Sequence, residues 1–320
     1  MKQESLSATG FGANVVKVDS GLSDGVNGRV LHIDRQSFTA RFNRSPFRVQ
    51  HNLSAEPLMT LGRIRQLVQD LETRPGEVYA DIDVTTVGQR WDESARPLMP
   101  MSNLVDQLAT SSAWIIIRRA ELDPQYRALL GRGMNEIKDA CGGRWPRPIR
   151  RRNAIIFLAS PRRISTYHID RECNFILQIH GEKLIHIFDR DDREVLTEEE
   201  LERFWTVDHN AAKFKPQHQD RCMTFHLRPG DGVHVPVNAP HWVQNGDDIS
   251  ITLSLNFQFS DFERANQYRA NYYLRKLGFN PSPPGKNLAR DKLKALAMSA
   301  VTILHKPAKF MQETRGRDPY

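Results

Sequence analysis

The stretch "YHIDRECNFILQIHGEKLIHIF", residues 167–188, decides how this chain is read. It holds two short apolar runs, "FILQIH" (175–180) and "KLIHIF" (183–188), separated by Gly181-Glu182. Runs of this length, rich in Ile, Leu and Phe and broken by a glycine, predict two β-strands joined by a tight hairpin. Such runs normally exclude charge. This one opens with His168 and Asp170 and carries Lys183 thirteen residues past the aspartate.

The strand pattern extends on both sides. "AIIFLAS" (154–160), "MTFHL" (223–227), "DGVHVPV" (231–237), "HWVQN" (241–245) and "ISITLSLNF" (249–257) are punctuated by turn signals at Pro229-Gly230-Asp231-Gly232 and Asn245-Gly246-Asp247-Asp248. Many short strands at regular spacing predict a sandwich or barrel of the jelly-roll kind. One helix interrupts them, since Thr197 and Glu200 form a capping box ahead of "EEELERFW" (198–205).

Upstream the pattern is mixed α/β. "GRVLHID" (28–34) and "SFTARF" (37–42) read as strands, and Leu61, Ile64, Leu67, Val68 and Leu71 follow a helical period with Thr60 as N-cap. A short helix around Leu104, Val105 and Leu108, a strand over "AWIIIRR" (113–119) and a helix entered at Asp123-Pro124 follow. Downstream, Ser260 and Glu263 suggest another capping box, and a last helix aligns Leu293, Leu296, Ala297, Ala300, Val301 and Leu304 on one stripe. That stripe must face this domain or a second copy of the chain. The expected organisation is a flexible tail over 1–10, an N-terminal α/β section over 11–152 packing on the barrel, a barrel core over 153–260, and a helical region over 261–320 with a possible role in dimerisation.

With 39% hydrophobic and 26% charged residues in a 320-residue chain, the composition is that of an ordinary globular protein. No apolar run is long enough to cross a membrane. "MKQESLSATG" (1–10) lacks a signal peptide's apolar stretch, so a cytoplasmic location is expected. Cys141, Cys173 and Cys222 are scattered and predict neither disulfides nor a zinc knuckle. The net charge of +7 is densest in "RWPRPIRRR" (144–152). That segment lacks interleaved aromatics and matches no DNA-reading motif, so a solvated connector between domains is the favoured reading over a nucleic-acid partner.

Alternation puts His168 and Asp170 on one face of a strand, where an imidazole and a carboxylate can act as two cis ligands to a divalent metal. A third histidine would complete a 2-His-1-carboxylate triad, and His226, His234 and His241 are all available. On its own HxD is a weak signal, and an ion-paired or core histidine is its more common meaning than a metal ligand. Lys183 shares a face with Ile185 and Ile187. It either pairs with an anion that no protein carboxylate is placed to supply, or snorkels to the sheet edge.

"GDGVHVPVNAPHWVQN" (230–245) resembles the second motif of the cupin superfamily, with Asn238 where glycine is usual. Asparagine also tolerates the positive φ of such a turn. In that motif the histidine binds the metal, which implies His241 as third ligand and leaves His226 and His234 to pocket or core roles. Taken with HxD, Asn174, Lys183 and Asn256, the chain resembles the JmjC/cupin-like Fe(II)- and 2-oxoglutarate-dependent oxygenases, nearest the asparaginyl-hydroxylase branch.

The resemblance implies a mainly β fold with a double-stranded β-helix core. It implies Fe(II) held by His168, Asp170 and His241, with 2-oxoglutarate and O2 as co-substrates. Lys183, assisted by Ser165, would meet the distal carboxylate of 2-oxoglutarate, while Asn174 and Asn256 would bond near its metal-binding end. Tyr167 is a further pocket candidate. The polar row Ser250, Thr252, Ser254 and Asn256 would line the barrel interior, although solvent exposure explains it equally. The implied activity is hydroxylation of a protein or peptide side chain, in a possible homodimer built on the C-terminal helices. A small-metabolite hydroxylase, or a non-catalytic cupin binding metal and a carboxylate, is the alternative.

Overall fold

The computed structural model describes residues 28–260 and 263–304, so the tail expected over 1–10 lies outside the described residues. In chain order the strands are β1 (Leu31–His32), β2 (Phe47–His51), β3 (Val78–Asp81), β4 (Trp114–Ile117), β5 (Ile149–Ala159) and β6 (Ile164–His168). They continue with β7 (Cys173–His180), β8 (Lys183–Ile187), β9 (Met223–Leu227), β10 (Asp231–Val235), β11 (His241–Asn245) and β12 (Ser250–Phe259). The helices are α1 (Arg35–Arg41), α2 (Leu61–Leu71), α3 (Met101–Asp106), α4 (Pro124–Ala140), α5 (Glu198–Phe204), α6 (Glu263–Lys276) and α7 (Leu288–Leu304).

The strands form an eight-stranded sheet, β1-β2-β10-β7-β12-β5-β4-β3, and a four-stranded sheet, β6-β11-β8-β9, with antiparallel pairing throughout. This is a jelly-roll, mainly β architecture. Ile185, Ile187, Phe225, Leu227 and Val243 of the smaller sheet pack against Ile176, Val233 and Val235 of the larger. The larger sheet's outer face is covered by α2 and α4, whose Ile64, Leu67, Val68, Met134 and Ile137 meet Ile156, Leu177, Leu253 and Leu255. β12 is therefore buried on both faces. Its apolar half faces the helices and its polar half faces the space between the sheets.

Several local expectations are corrected. Gly181 does not turn a hairpin: β7 pairs with β10 and β12, whereas β8 pairs with β9 and β11, so the chain passes from one sheet to the other there. Gly181 takes φ 71°, and a Cβ at that point would collide with the carbonyl oxygen of Ile249. "SFTARF" belongs to α1, because the Asp34 carboxylate accepts from the Ser37 backbone N–H at 2.7 Å and starts a helix that buries Phe38. Thr60 stands at the N-terminus of α2, but its hydroxyl donates back to Pro57 and caps nothing. Residues 149–152 are not a connector; they open β5 and pair with β12.

Other expectations hold. Thr197 and Glu200 form the reciprocal capping box of α5. All three cysteines are free. On α7, Leu293 and Leu296 are each 68% exposed, so the apolar stripe does not face this domain. Among the described residues no helix is long and apolar enough to cross a membrane.

Candidate active site

β6 ends on His168 and β11 begins on His241, and the antiparallel register sets the two directly opposite. Their ring centroids lie 4.2 Å apart. Asp170, just past the end of β6, turns one carboxylate oxygen to each: Oδ1 is 3.9 Å from His168 Nε2 and Oδ2 is 3.7 Å from His241 Nε2. Among the described residues this is the one cluster of His, Cys, Asp or Glu whose ligand atoms converge, all within 4.8 Å of one another.

The backbone selects the tautomer of both imidazoles. His168 Nδ1 lies 2.7 Å from Thr166 O, and His241 Nδ1 lies 2.9 Å from Ala239 O. A carbonyl oxygen only accepts, so each Nδ1 carries the hydrogen and each Nε2 presents a lone pair toward Asp170. Burial, together with neighbouring His168, pushes His241 down to about 4, so its ring is neutral at ordinary pH. Asp170 is held in turn: Asn174 Nδ2 donates to Oδ2 at 2.6 Å, and the Asn238 backbone N–H donates to the Asp170 carbonyl at 2.9 Å. Asn238 adopts φ 62°, the turn conformation expected of it.

Lys183 opens β8 and points inward, only 7% exposed, so it does not snorkel. Its Nζ donates to Thr252 Oγ1 at 2.6 Å, and the Thr252 hydroxyl donates to Gln178 Oε1 at 2.9 Å. Gln178 Nε2 is committed to His180 O, Gly181 O and Ser250 Oγ, which fixes the amide's orientation. Among the described residues no carboxylate lies within ion-pair distance of Lys183, and burial pushes its amine down to about 7.

One cavity between the sheets joins Lys183 to the His-Asp-His cluster. Ser165 lines it from β6, and Ser250, Thr252, Ser254 and Asn256 line it from β12, so the polar row faces the interior. Asn256 pairs in register with Asn153 on one side and Asn174 on the other, a rung of three asparagines beside the cluster. Asn256 bonds Ser254 through both ends of its amide, and Asn174 uses its amide nitrogen on Asp170. The side-chain oxygens of Asn153, Asn174 and Asn245 are buried in the same cavity without a partner.

The remaining candidates lie elsewhere. His234 is a core residue stacked among Phe42, Phe47 and Phe175, and burial drives it to about 3. His226 is neither pocket nor core, since it forms a surface pair with Glu182 at 2.6 Å. Tyr167 points away from the cavity and packs against Phe188 and Phe214. The sequence reading missed Gln178, Asn153 and Asn245, as well as Arg151, Glu172 and His209 at the cavity wall. Gln178 had a readable signal: an amide in the middle of "FILQIH" needs buried partners.

No curated protein sequence matches this chain. Among solved structures, the chain is similar to the Escherichia coli ribosomal oxygenase YcfD at 17% identity and a TM-score of 0.47, over 87% of this chain and 68% of that one. For the same protein in complex with cobalt and 2-oxoglutarate the values are 15% and 0.46, over 88% and 69%. For its complex with cobalt and succinic acid they are 16% and 0.46, over 89% and 70%. Residues 41–263 match the family described as Cupin-like domain, which is well over half of the chain, and the chain belongs to that family.

Proposed function

We propose that this chain is an Fe(II)- and 2-oxoglutarate-dependent dioxygenase that hydroxylates a side chain of a protein or peptide acceptor. The carrying observation is Lys183, a buried amine with no carboxylate within ion-pair distance among the described residues, in one cavity with two imidazoles and an aspartate. A desolvated cation of this kind is stabilised by an anionic guest. The donor set, two neutral nitrogens and one carboxylate, is that of non-haem Fe(II) sites that leave coordination positions open.

The residues therefore fit the group. His168, Asp170 and His241 would hold the iron. When bound, the metal supplies the O2 chemistry that couples decarboxylation of 2-oxoglutarate to succinate with oxidation of a C–H bond. The protein's part is positioning. Thr166 O and Ala239 O keep the imidazoles in the ligating tautomer, and Asn174 holds the Asp170 carboxylate. Lys183, with Ser165 nearby, would anchor the distal carboxylate of 2-oxoglutarate. Asn256 and Asn174 would bond near its metal-proximal end through their side-chain amide N–H groups. Trp114, Ile155, Phe157, Ile176 and Val243 line the same space and keep water from the reacting groups.

Anaerobic addition of Fe(II) and 2-oxoglutarate should produce a weak metal-to-ligand charge-transfer band in the visible. In air, succinate should accumulate. Iron binding without either signal would instead identify a non-catalytic carboxylate-binding cupin.

A homodimer is part of the same proposal. The outward face of α7, with Leu293 and Leu296 exposed, supports a contact with a second copy. Leu293→Glu with Leu296→Glu should convert a dimer to a monomer in sedimentation velocity.

A further inference from the structure

Beside the metal-site cavity runs a second, more open groove of about 950 Å³. Seven arginines line it against two aspartates, with no lysine or glutamate. It is built from α1 and the turn after it, the segment before β5, the loop after β8, the turn before β11, and α6. The groove shares Arg171 with the metal-site cavity. Asn238, another lining residue, donates its backbone N–H to Asp170 O at 2.9 Å. A chain lying in the groove would thus pass directly beside the triad.

Part of this charge is consumed internally, since Arg190 and Arg193 pair with Asp191 and Arg193 also with Glu198, but three of the arginines are not so engaged. Arg35, Arg44 and Arg264 are exposed, and among the described residues no carboxylate lies within ion-pair distance of any of them. Aromatic and aliphatic surface lies between the arginines, including Phe42 and Val237. Two of the aromatic faces on which a nucleic-acid base could stack are already covered: Arg147 sits 4.3 Å over the Phe259 ring, and Arg171 sits 5.2 Å over Trp205.

We infer that this groove docks an acidic peptide segment, whose carboxylates pair with Arg35, Arg44 and Arg264 while interspersed apolar side chains meet the groove floor. The inference rests on the oxygenase reading and refines it, making the acceptor class a protein with Asp- and Glu-rich sequence around the modified residue. Planar guanidinium groups suit carboxylates because two parallel hydrogen bonds fit each pair.

The test uses the full-length protein with Mn(II) in place of iron and three fluorescein-labelled peptides, alternating Glu/Leu, Gln/Leu and Lys/Leu, together with single-stranded RNA. In low salt the Glu/Leu peptide should bind about tenfold more tightly than Gln/Leu, and the preference should shrink as salt is added. The variant R35E/R44E/R264E should invert the order and favour Lys/Leu, a gain that a misfolded protein could not show. Mn(II) should broaden the NMR resonances of the bound Glu/Leu peptide, which places it near the triad. Equal binding of Glu/Leu and Gln/Leu, displacement by RNA in preference to peptide, or absence of broadening would each overturn the inference. The oxygenase reading fails separately, through the missing charge-transfer band and succinate, neither of which requires a peptide.

Discussion

His168 and His241 face each other across the β6–β11 pairing, and each donates Nδ1–H to the carbonyl two residues upstream in its own strand or turn. The same local brace, used twice, aims both Nε2 atoms at one aspartate. Removing any of the three donors should therefore remove the site but not the fold. His168→Ala, Asp170→Ala and His241→Ala should each abolish iron binding and succinate release, with thermal midpoints close to the parent's. A His241→Ala protein that retained full iron affinity would break the assignment.

Asn174 supports the site from behind. Its amide nitrogen is 2.6 Å from Asp170 Oδ2. Asn174→Ala should weaken iron affinity by roughly 10–100-fold, the usual effect of losing a group that orients a metal ligand. Competition against a fluorescent chelator would measure it.

Lys183 should affect the co-substrate and leave the metal alone. Lys183→Ala leaves a bound carboxylate without its cation and should cost about 2–5 kcal/mol of 2-oxoglutarate affinity. Iron affinity measured without 2-oxoglutarate should be unchanged. An equal loss of both would mean that the substitution had disturbed the barrel.

The same lysine sets a pH dependence. Its folded value of about 7 lies below the ordinary lysine value of about 10.4, so between those limits the unfolded chain binds the extra proton. Stability of the ligand-free protein should therefore rise with pH from about 7 toward 10, and the destabilisation should be fully present below that window. A carboxylate beside the amine favours its charged form, so 2-oxoglutarate binding at pH 8 should take up protons. Calorimetry in two buffers of different ionisation enthalpy would detect the uptake, and identical heats would place the ligand away from Lys183.

Gly181 marks the crossing between sheets. Gly181→Ala requires a side chain at φ 71° and a clash with Ile249 O, and it should destabilise by roughly 2–4 kcal/mol in urea unfolding. An ordinary hairpin glycine would lose less and keep its strand pairing.

The strands bearing Lys183, His241 and Asn256 were legible from the chain alone, because alternation, apolar runs and turn residues act over a few neighbours. So were the α5 capping box and the conformation of Asn238. Which strand lies beside which was not legible. "FILQIH" and "KLIHIF" look like a hairpin locally, yet their hydrogen bonds go to segments dozens of residues away, and only the closed pair of sheets decides that. The helix over "SFTARF" was hidden for a different reason: its start depends on one Asp34 side-chain bond that outweighs the local strand pattern.

In the site, the HxD spacing marked His168 and Asp170 as candidates, but strand alternation is not what brings them together: Asp170 lies just past the end of β6, and the turn there carries its carboxylate to the two imidazoles. Composition could not say whether the Ser250–Asn256 row met water or an interior, because both environments accept polar groups; burial by the second sheet settled it. Nor could it say whether Lys183 reached solvent. Its hydroxyl partner, Thr252, lies 69 positions further on, and that contact exists only once the two sheets have closed on each other.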